Sequence, residues 1–105
     1  MQSILDEIDA KRSATAALCE RFGVRSLALF GSATGPDWNA DTSDLDFLVE
    51  FELAAEGSIA DRYLHLAEAL ESLFGRPVDL ITSAAIRNPY FRRSVELSRT
   101  VVYAA

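Results

Sequence analysis

The chain of 105 residues is short of several residue types that particular classes of protein need. A single cysteine, Cys19, excludes an internal disulfide and a zinc site built from several cysteines. A single histidine, His65, excludes a histidine-rich metal site and makes a Ser-His-Asp triad hard to assemble. No stretch approaches the roughly 18 apolar residues of a membrane-spanning helix. The length suits one compact domain over residues 1–105.

Basic residues are also scarce, since 10 Lys and Arg stand against 16 Asp and Glu and give a net charge of −6. Proteins that hold nucleic acid by its phosphates carry clustered basic residues, so this balance argues against nonspecific nucleic-acid binding. It does not exclude an enzyme that binds a nucleotide together with metal ions. The N-terminus carries no export signal, which together with the free thiol of Cys19 predicts a cytoplasmic protein without a membrane partner.

Hydrophobic periodicity predicts that helices and strands alternate along the chain. Apolar residues at helical spacing predict helices over Gln2–Phe22 and Ser58–Phe74, and Asn88 is expected to cap a last one. Apolar or alternating runs predict four strands, Val24–Phe30, Ser43–Phe51, Pro77–Thr82 and Thr100–Tyr103. A loop or short helix is expected between the first two strands. This order predicts the α/β (α+β) class, with helices packed on a small sheet.

Three residues have side chains that could react, catalyse or stack on a base, but each is expected to have a structural or surface position: Cys19, His65 and Trp38. Cys19 lies on the apolar stripe of the first helix, which favours a buried, inert side chain over a reactive thiol. His65 lies beside the apolar stripe of its helix, which favours a solvated position over a catalytic one. Trp38 lies in the polar loop, where we expect it to anchor to the core, with base stacking or a partner contact as the alternative.

Three aspartates are the strongest candidates for chemistry. Asp44 and Asp46 are two residues apart on a predicted strand, so their carboxylates share one face with Cα atoms about 6.5–7 Å apart. Asp79 lies in the apolar run of the next strand, where an unpaired charge is costly. A divalent cation would relieve their repulsion, and ligands made only of oxygen favour Mg²⁺ or Mn²⁺. Two such ions about 3.5–4 Å apart can hold a triphosphate and activate a hydroxyl.

A glycine and a serine, Gly31-Ser32, end the first predicted strand. Glycine lets a phosphate approach the backbone, while N–H groups and the serine hydroxyl can bind phosphate oxygens. Gly31-Ser32 alone is not a specific signal. The aspartates alone are not specific either, because a Ser43-Asp44 turn and a solvent-facing Asp46 would explain them structurally. The combination is more specific: Phe-Gly-Ser, eleven residues, Asp-Leu-Asp in a hydrophobic strand, and a lone Asp in a later strand.

The stretches Leu29–Ser32, Ser43–Phe51 and Arg76–Ile81 resemble the minimal nucleotidyltransferases of the polymerase-beta-like superfamily. The similarity covers roughly residues 15–103 and implies a mixed-sheet nucleotidyltransferase fold. Small members of that family that stand alone are commonly antitoxins paired with a helical ribonuclease toxin of the HEPN type. The resemblance therefore implies that AMP is transferred from ATP to a hydroxyl of a HEPN-type toxin.

The same resemblance implies roles for individual residues. Asp44, Asp46 and Asp79 would be the catalytic residues and would bind a pair of Mg²⁺ ions, with Mn²⁺ as an alternative. Asp79 would also help to deprotonate the acceptor hydroxyl. Gly31 and Ser32 would bind the triphosphate of the nucleotide.

The chain departs from this family in one respect, since many relatives carry an arginine shortly after the Gly-Ser. Here no Lys or Arg occurs from Ser26 through Asp61, so phosphate charge must be met by metal, backbone N–H groups, a partner or a distant arginine. Arg76, Arg87 and Arg92 are candidates for that arginine. The segment Arg87–Arg93 is expected to contact nucleotide or partner, the alternative being an amphipathic helix with solvated arginines.

Other functions stay open on the sequence alone. The missing arginine favours a non-catalytic binding module that neutralises its partner by occlusion. A nucleotidyltransferase acting on a small molecule, such as an antibiotic hydroxyl, would need a second domain or a dimer to form its acceptor pocket. A small α/β domain whose aspartates are only surface features is the remaining alternative.

Overall fold

A four-stranded mixed sheet forms the centre of the computed structural model, which describes residues 4–31 and 44–105. Its strands are β1 (Val24–Phe30), β2 (Leu45–Phe51), β3 (Val78–Thr82) and β4 (Thr100–Ala104). They lie in the order β3-β2-β1-β4. β1 is antiparallel to both β2 and β4, whereas β2 is parallel to β3. This arrangement confirms the predicted α/β (α+β) fold class. The loop with Trp38 lies outside the described residues.

Within the part of the chain that the structure describes, four helices and a 3₁₀ turn pack on this sheet. The helices are α1 (Ile4–Ala10), α2 (Arg12–Arg21), α3 (Ile59–Phe74) and α4 (Pro89–Ser98), and the 3₁₀ turn is Ser83–Ala85. Local signals set both ends of α3: Ser58 caps it by accepting the N–H of Asp61, and the left-handed Gly75 ends it. None of the helices in the described residues is long and apolar enough to cross a membrane.

The single helix predicted over Gln2–Phe22 is wrong, because α1 and α2 are separated at Lys11. Lys11 has φ −105° and ψ 15°, and its N–H donates to the carbonyls of both Glu7 and Ile8. Its ammonium donates to the carbonyl of Leu73, at the end of α3, at 2.9 Å, and pairs with Glu7 at 3.3 Å. A contact with a distant helix therefore accompanies a break that the local periodicity does not reveal.

The sheet face that carries Leu27, Leu29, Leu45, Phe47 and Val49 is covered by α1, α2 and α3, and we call it the core face. All five of these side chains are fully buried. Their helical partners are aliphatic, aromatic or sulfur-containing, and include Ile4, Ile8, Cys19, Leu66, Leu70 and Phe74. Two predictions are confirmed here: Cys19 is buried, and burial raises the pKa of its thiol to about 12, while His65 is exposed.

The opposite face, which carries Phe30, Asp46 and Leu48, is covered only in part, and we call it the site face. Its buried cluster consists of Phe30, Leu48, Ile86 and Val95, the last of which belongs to α4. α4 begins as predicted at Asn88, whose side-chain oxygen accepts the N–H groups of its first turn. The ring of Phe91 packs edge-on against Phe30 with centroids 6.1 Å apart.

Candidate functional site

The strand register brings two of the three predicted aspartates side by side on the site face. Asp46 is the second residue of β2, Asp79 is the second residue of β3, and the two are direct partners in the parallel pair. On its other side Asp46 is the partner of Phe30, the last residue of β1. Asp44 precedes β2 by one residue, and its charge contributes to the raised pKa of Asp46. Asp46 and Asp79 thus lie side by side near the starts of β2 and β3.

The charges of these aspartates influence one another. The pKa of Asp46 is raised first by burial, then by the negative charges of Asp79 and Asp44. Asp46 is half-buried, whereas Asp44 and Asp79 are exposed. The ion pairs found within residues 4–31 and 44–105 involve Glu7 and Asp9 and none of these three carboxylates. The site face therefore holds a concentration of negative charge that no side chain of the described residues neutralises.

Gly31 packs directly against the carboxylate of Asp46. It follows β1 with φ +77°, a conformation that favours glycine. A Cβ atom placed on Gly31 would lie 2.5 Å from Oδ2 and 3.3 Å from Cγ of Asp46, so a side chain there would displace that carboxylate. Its N–H donates to Oγ of Ser98, the last residue of α4, at 3.3 Å. Ser32, predicted to bind phosphate beside Gly31, lies outside the described residues.

The donor chemistry of the three aspartates suits a divalent cation. Carboxylate oxygens are the ligands that Mg²⁺ and Mn²⁺ prefer, and the site offers no nitrogen or sulfur donor among them. Within the described residues no three Asp, Glu, His or Cys side chains are already gathered as they would be around a bound ion. Burial first, and then the charges of Asp79 and Asp44, disfavour the ionised form of Asp46, and a cation would favour it. The donor type of the three aspartates and the register of Asp46 beside Asp79 are compatible with such a cation.

The distant arginines considered as phosphate ligands differ in how they are engaged. Arg76 pairs with Glu7 at 3.2 Å, on the side of the molecule formed by α1 and α3. Arg92 donates to the carbonyls of Ser83 and Ile86 at 3.1 and 2.8 Å, and so ties α4 to the 3₁₀ turn. Arg87, just before α4, is exposed. Two of the three candidates therefore already have partners in the protein.

A family model and the sequences of known proteins both match this chain, and both point to the same family. The family described as "Nucleotidyltransferase domain" matches residues 11–102. A protein of Methanocaldococcus jannaschii, provisionally named a protein adenylyltransferase, is 42% identical over 79 residues, which are 75% of this chain and 77% of its own. The protein adenylyltransferase MntA of Thermococcus cleftensis is 38% identical over 85 residues, covering 80% of this chain and 82% of its own.

Comparison with solved structures gives the same fold. A provisionally assigned minimal nucleotidyltransferase superposes with a TM-score of 0.72 at 34% identity, covering 91% of this chain and 93% of its own. The complex of a tri-AMPylated HEPN toxin from Shewanella oneidensis with an MNT antitoxin contains a chain with a TM-score of 0.61 and 20% identity. That match covers 93% of this chain and 73% of the other, and it concerns the fold alone.

Proposed function

The chain belongs to the nucleotidyltransferase domain family, and on that basis we propose that it transfers AMP from ATP to a hydroxyl of a partner protein with the help of Mg²⁺. The observation that carries the proposal is the register of Asp46 beside Asp79, with Gly31 packed on Asp46. AMP and a protein acceptor are supported by the names of the two relatives from Methanocaldococcus and Thermococcus.

Each site residue has a role in this proposal. Asp44, Asp46 and Asp79 hold the divalent cations, which when bound draw the triphosphate and make the acceptor hydroxyl more acidic. Asp79, the exposed member beside Asp46, accepts the proton of the acceptor hydroxyl. The hydroxyl oxygen forms a bond to the α-phosphorus, and the bond from that phosphorus to the bridging oxygen breaks, so that pyrophosphate leaves. Gly31 and Ser32 hold the triphosphate.

We assign the acceptor to a toxin of the HEPN type. The support is a solved complex of an AMPylated HEPN toxin with an MNT antitoxin. That complex contains a chain with the fold of this protein. The charge of this protein agrees with a protein acceptor better than with a nucleic acid, because its net charge is −6.

The direct test is transfer of label from [α-³²P]ATP, in Mg²⁺, to the product of the neighbouring gene. We expect the neighbour to be labelled, and Asp46→Asn to lower the rate on the order of 10³-fold because a charge that binds the cation is lost. Glu50→Gln, an exposed position on the same strand and face, is the matched control and should keep the wild-type rate. If no acceptor is labelled and Asp46→Asn behaves like the wild type, the catalytic proposal is wrong.

Occlusion without catalysis is the second candidate, and the lack of any Lys or Arg from Ser26 through Asp61 favours it. It predicts that an Asp44→Ala, Asp46→Ala double variant still binds and neutralises its partner. Complementation in cells that express the toxin, alongside a pull-down, separates the two functions. Protection that is lost while binding persists contradicts occlusion and supports transfer.

A further inference from the structure

We propose that Ser98 is a positioning residue for nucleotide binding, which acts by holding Gly31 in place against Asp46. The inference rests on the proposed function, because it assigns a task to a residue outside the aspartate cluster. Ser98 is half-buried at the end of α4, and its Oγ accepts the N–H of Gly31 at 3.3 Å. The two residues are 67 positions apart in the sequence.

The hydroxyl of Ser98 is oriented to accept this hydrogen bond. A serine hydroxyl has one proton to donate and two lone pairs to accept with. Within α4 the proton of Ser98 is donated to the carbonyl of Ser94 at 3.1 Å, with the carbonyl of Val95 at 3.4 Å as a second acceptor. Because the proton is engaged by the helix, a lone pair faces Gly31.

The packing of α4 places Ser98 at this point. Phe91, Val95 and Ser98 follow one another at steps of four and three, so they share one face of the helix. Phe91 packs on Phe30, Val95 belongs to the same buried cluster as Phe30, and Ser98 binds the next residue, Gly31. The helix thus fixes the last residue of β1 by apolar contact and the residue after it by a hydrogen bond.

The position of Gly31 matters because it sets the backbone of the proposed phosphate site against the carboxylate of the proposed cation site. A Cβ on Gly31 would lie 2.5 Å from Oδ2 of Asp46, so the two groups are already in close contact. The N–H of Gly31 already donates to Ser98. The proposed role of the glycine is therefore to let the triphosphate approach the backbone closely, because it has no side chain. A displacement of about 1 Å in such a site can reduce a rate on the order of 10²-fold.

The experiment compares Ser98→Ala with Ser98→Thr, which restores the hydroxyl, and with Ser94→Ala, which leaves the main-chain oxygen of Ser94 in place. Two quantities are measured: the Kd of ATP in Mg²⁺ by calorimetry, and the exchange rate of the Gly31 amide proton by NMR. For Ser98→Ala we expect both to rise about fivefold to tenfold, as for the loss of one hydrogen bond. The other two variants should match the wild type.

The outcomes separate this inference from the proposed function. If the wild type binds ATP and Ser98→Ala binds it equally well, the inference is overturned while the proposed function stands. A lower Tm with an unchanged Kd overturns it also, because Ser98 would then serve folding alone. If the wild type itself binds no ATP in Mg²⁺, the proposed function fails and the role of Ser98 fails with it.

Discussion

The two faces of the central strands β1 and β2 differ in what covers them and in what they carry. On the core face, the residues of three helices bury Leu27, Leu29 and Phe47 completely. On the site face, α4 covers a smaller cluster around Phe30 and leaves the aspartates partly or wholly exposed. The same seven-residue strands therefore supply a dry core on one side and a charged site on the other.

This alternation explains how mutually repelling carboxylates are held together. Asp46 lies between Leu45 and Phe47, both of which are fully buried on the core face. Burying a leucine or phenylalanine side chain stabilises a fold by about 1.5–3 kcal/mol, and these neighbours fix the strand that carries Asp46. The core face thus offsets the cost of the site face, one residue at a time.

The largest expected effect comes from cutting the same side chain on each face. Leu27→Ala should lower the free energy of unfolding by about 3–5 kcal/mol, because its site is fully buried within the large cluster. Leu48→Ala should lower it by about 2–3 kcal/mol, because Leu48 is 6% exposed within a cluster of four buried residues. Urea unfolding measures both. Equal losses would mean that the two faces contribute alike to stability.

Two glycines, Gly31 beside the site and Gly75 at the end of α3, have similar left-handed backbone conformations. Gly31→Ala and Gly75→Ala each place a side chain at positive φ, with φ +77° and +67°, which should cost about 1–3 kcal/mol of stability. At Gly75 nothing lies within 4 Å of the new Cβ, whereas at Gly31 it meets the carboxylate of Asp46. Gly31→Ala alone should therefore also lower AMP transfer, on the order of 10²-fold.

Both variants are assayed for transfer at temperatures where thermal unfolding shows them folded. Equal loss of transfer in Gly75→Ala, or full transfer in Gly31→Ala, would contradict the close packing of Gly31 on the site.

Much of this architecture could be predicted from local sequence signals. The contacts between distant parts of the chain could not. The four strands and the start of α4 at Asn88 depend on neighbouring residues, and the structure has them close to where they were expected. Strand alternation alone predicts that Asp44 and Asp46 share a face. Their placement beside Asp79 needs the pairing of β2 with β3, which the spacing of residues does not determine.

Two further features that the sequence did not indicate involve hydrogen bonds between residues far apart in the chain. The break between α1 and α2 accompanies the bond from Lys11 to Leu73, which joins residues 62 positions apart. The contact of Ser98 with Gly31 spans 67 positions. In each case a side chain at a helix end forms a hydrogen bond with a backbone group of another element. The hydrophobic periodicity of either segment does not predict such a contact.

The smallest expected effect tests the electrostatic cost of the site face. Asp46→Asn removes a charge that burial and the neighbouring Asp79 and Asp44 disfavour, so it should raise the Tm by roughly 2–5 °C at pH 7 in EDTA. Glu50→Gln, exposed on the same face, is the control and should leave the Tm unchanged. A Tm of Asp46→Asn at or below that of the wild type would show that the carboxylate is not destabilising.

The difference in stability between the wild type and Asp46→Asn should also depend on pH. Because the pKa of Asp46 is raised above its usual 3.8 in the folded protein, the folded state binds the proton more tightly than the unfolded chain. Wild-type stability should therefore fall as the pH rises from 3.8 through the raised pKa, and Asp46→Asn should lack this decline. The Tm difference between the two proteins should be full at pH 7 and vanish below pH 3.8. A gain in stability coupled to the loss of AMP transfer would mean that this charge is retained for chemistry, at a cost that the core face offsets.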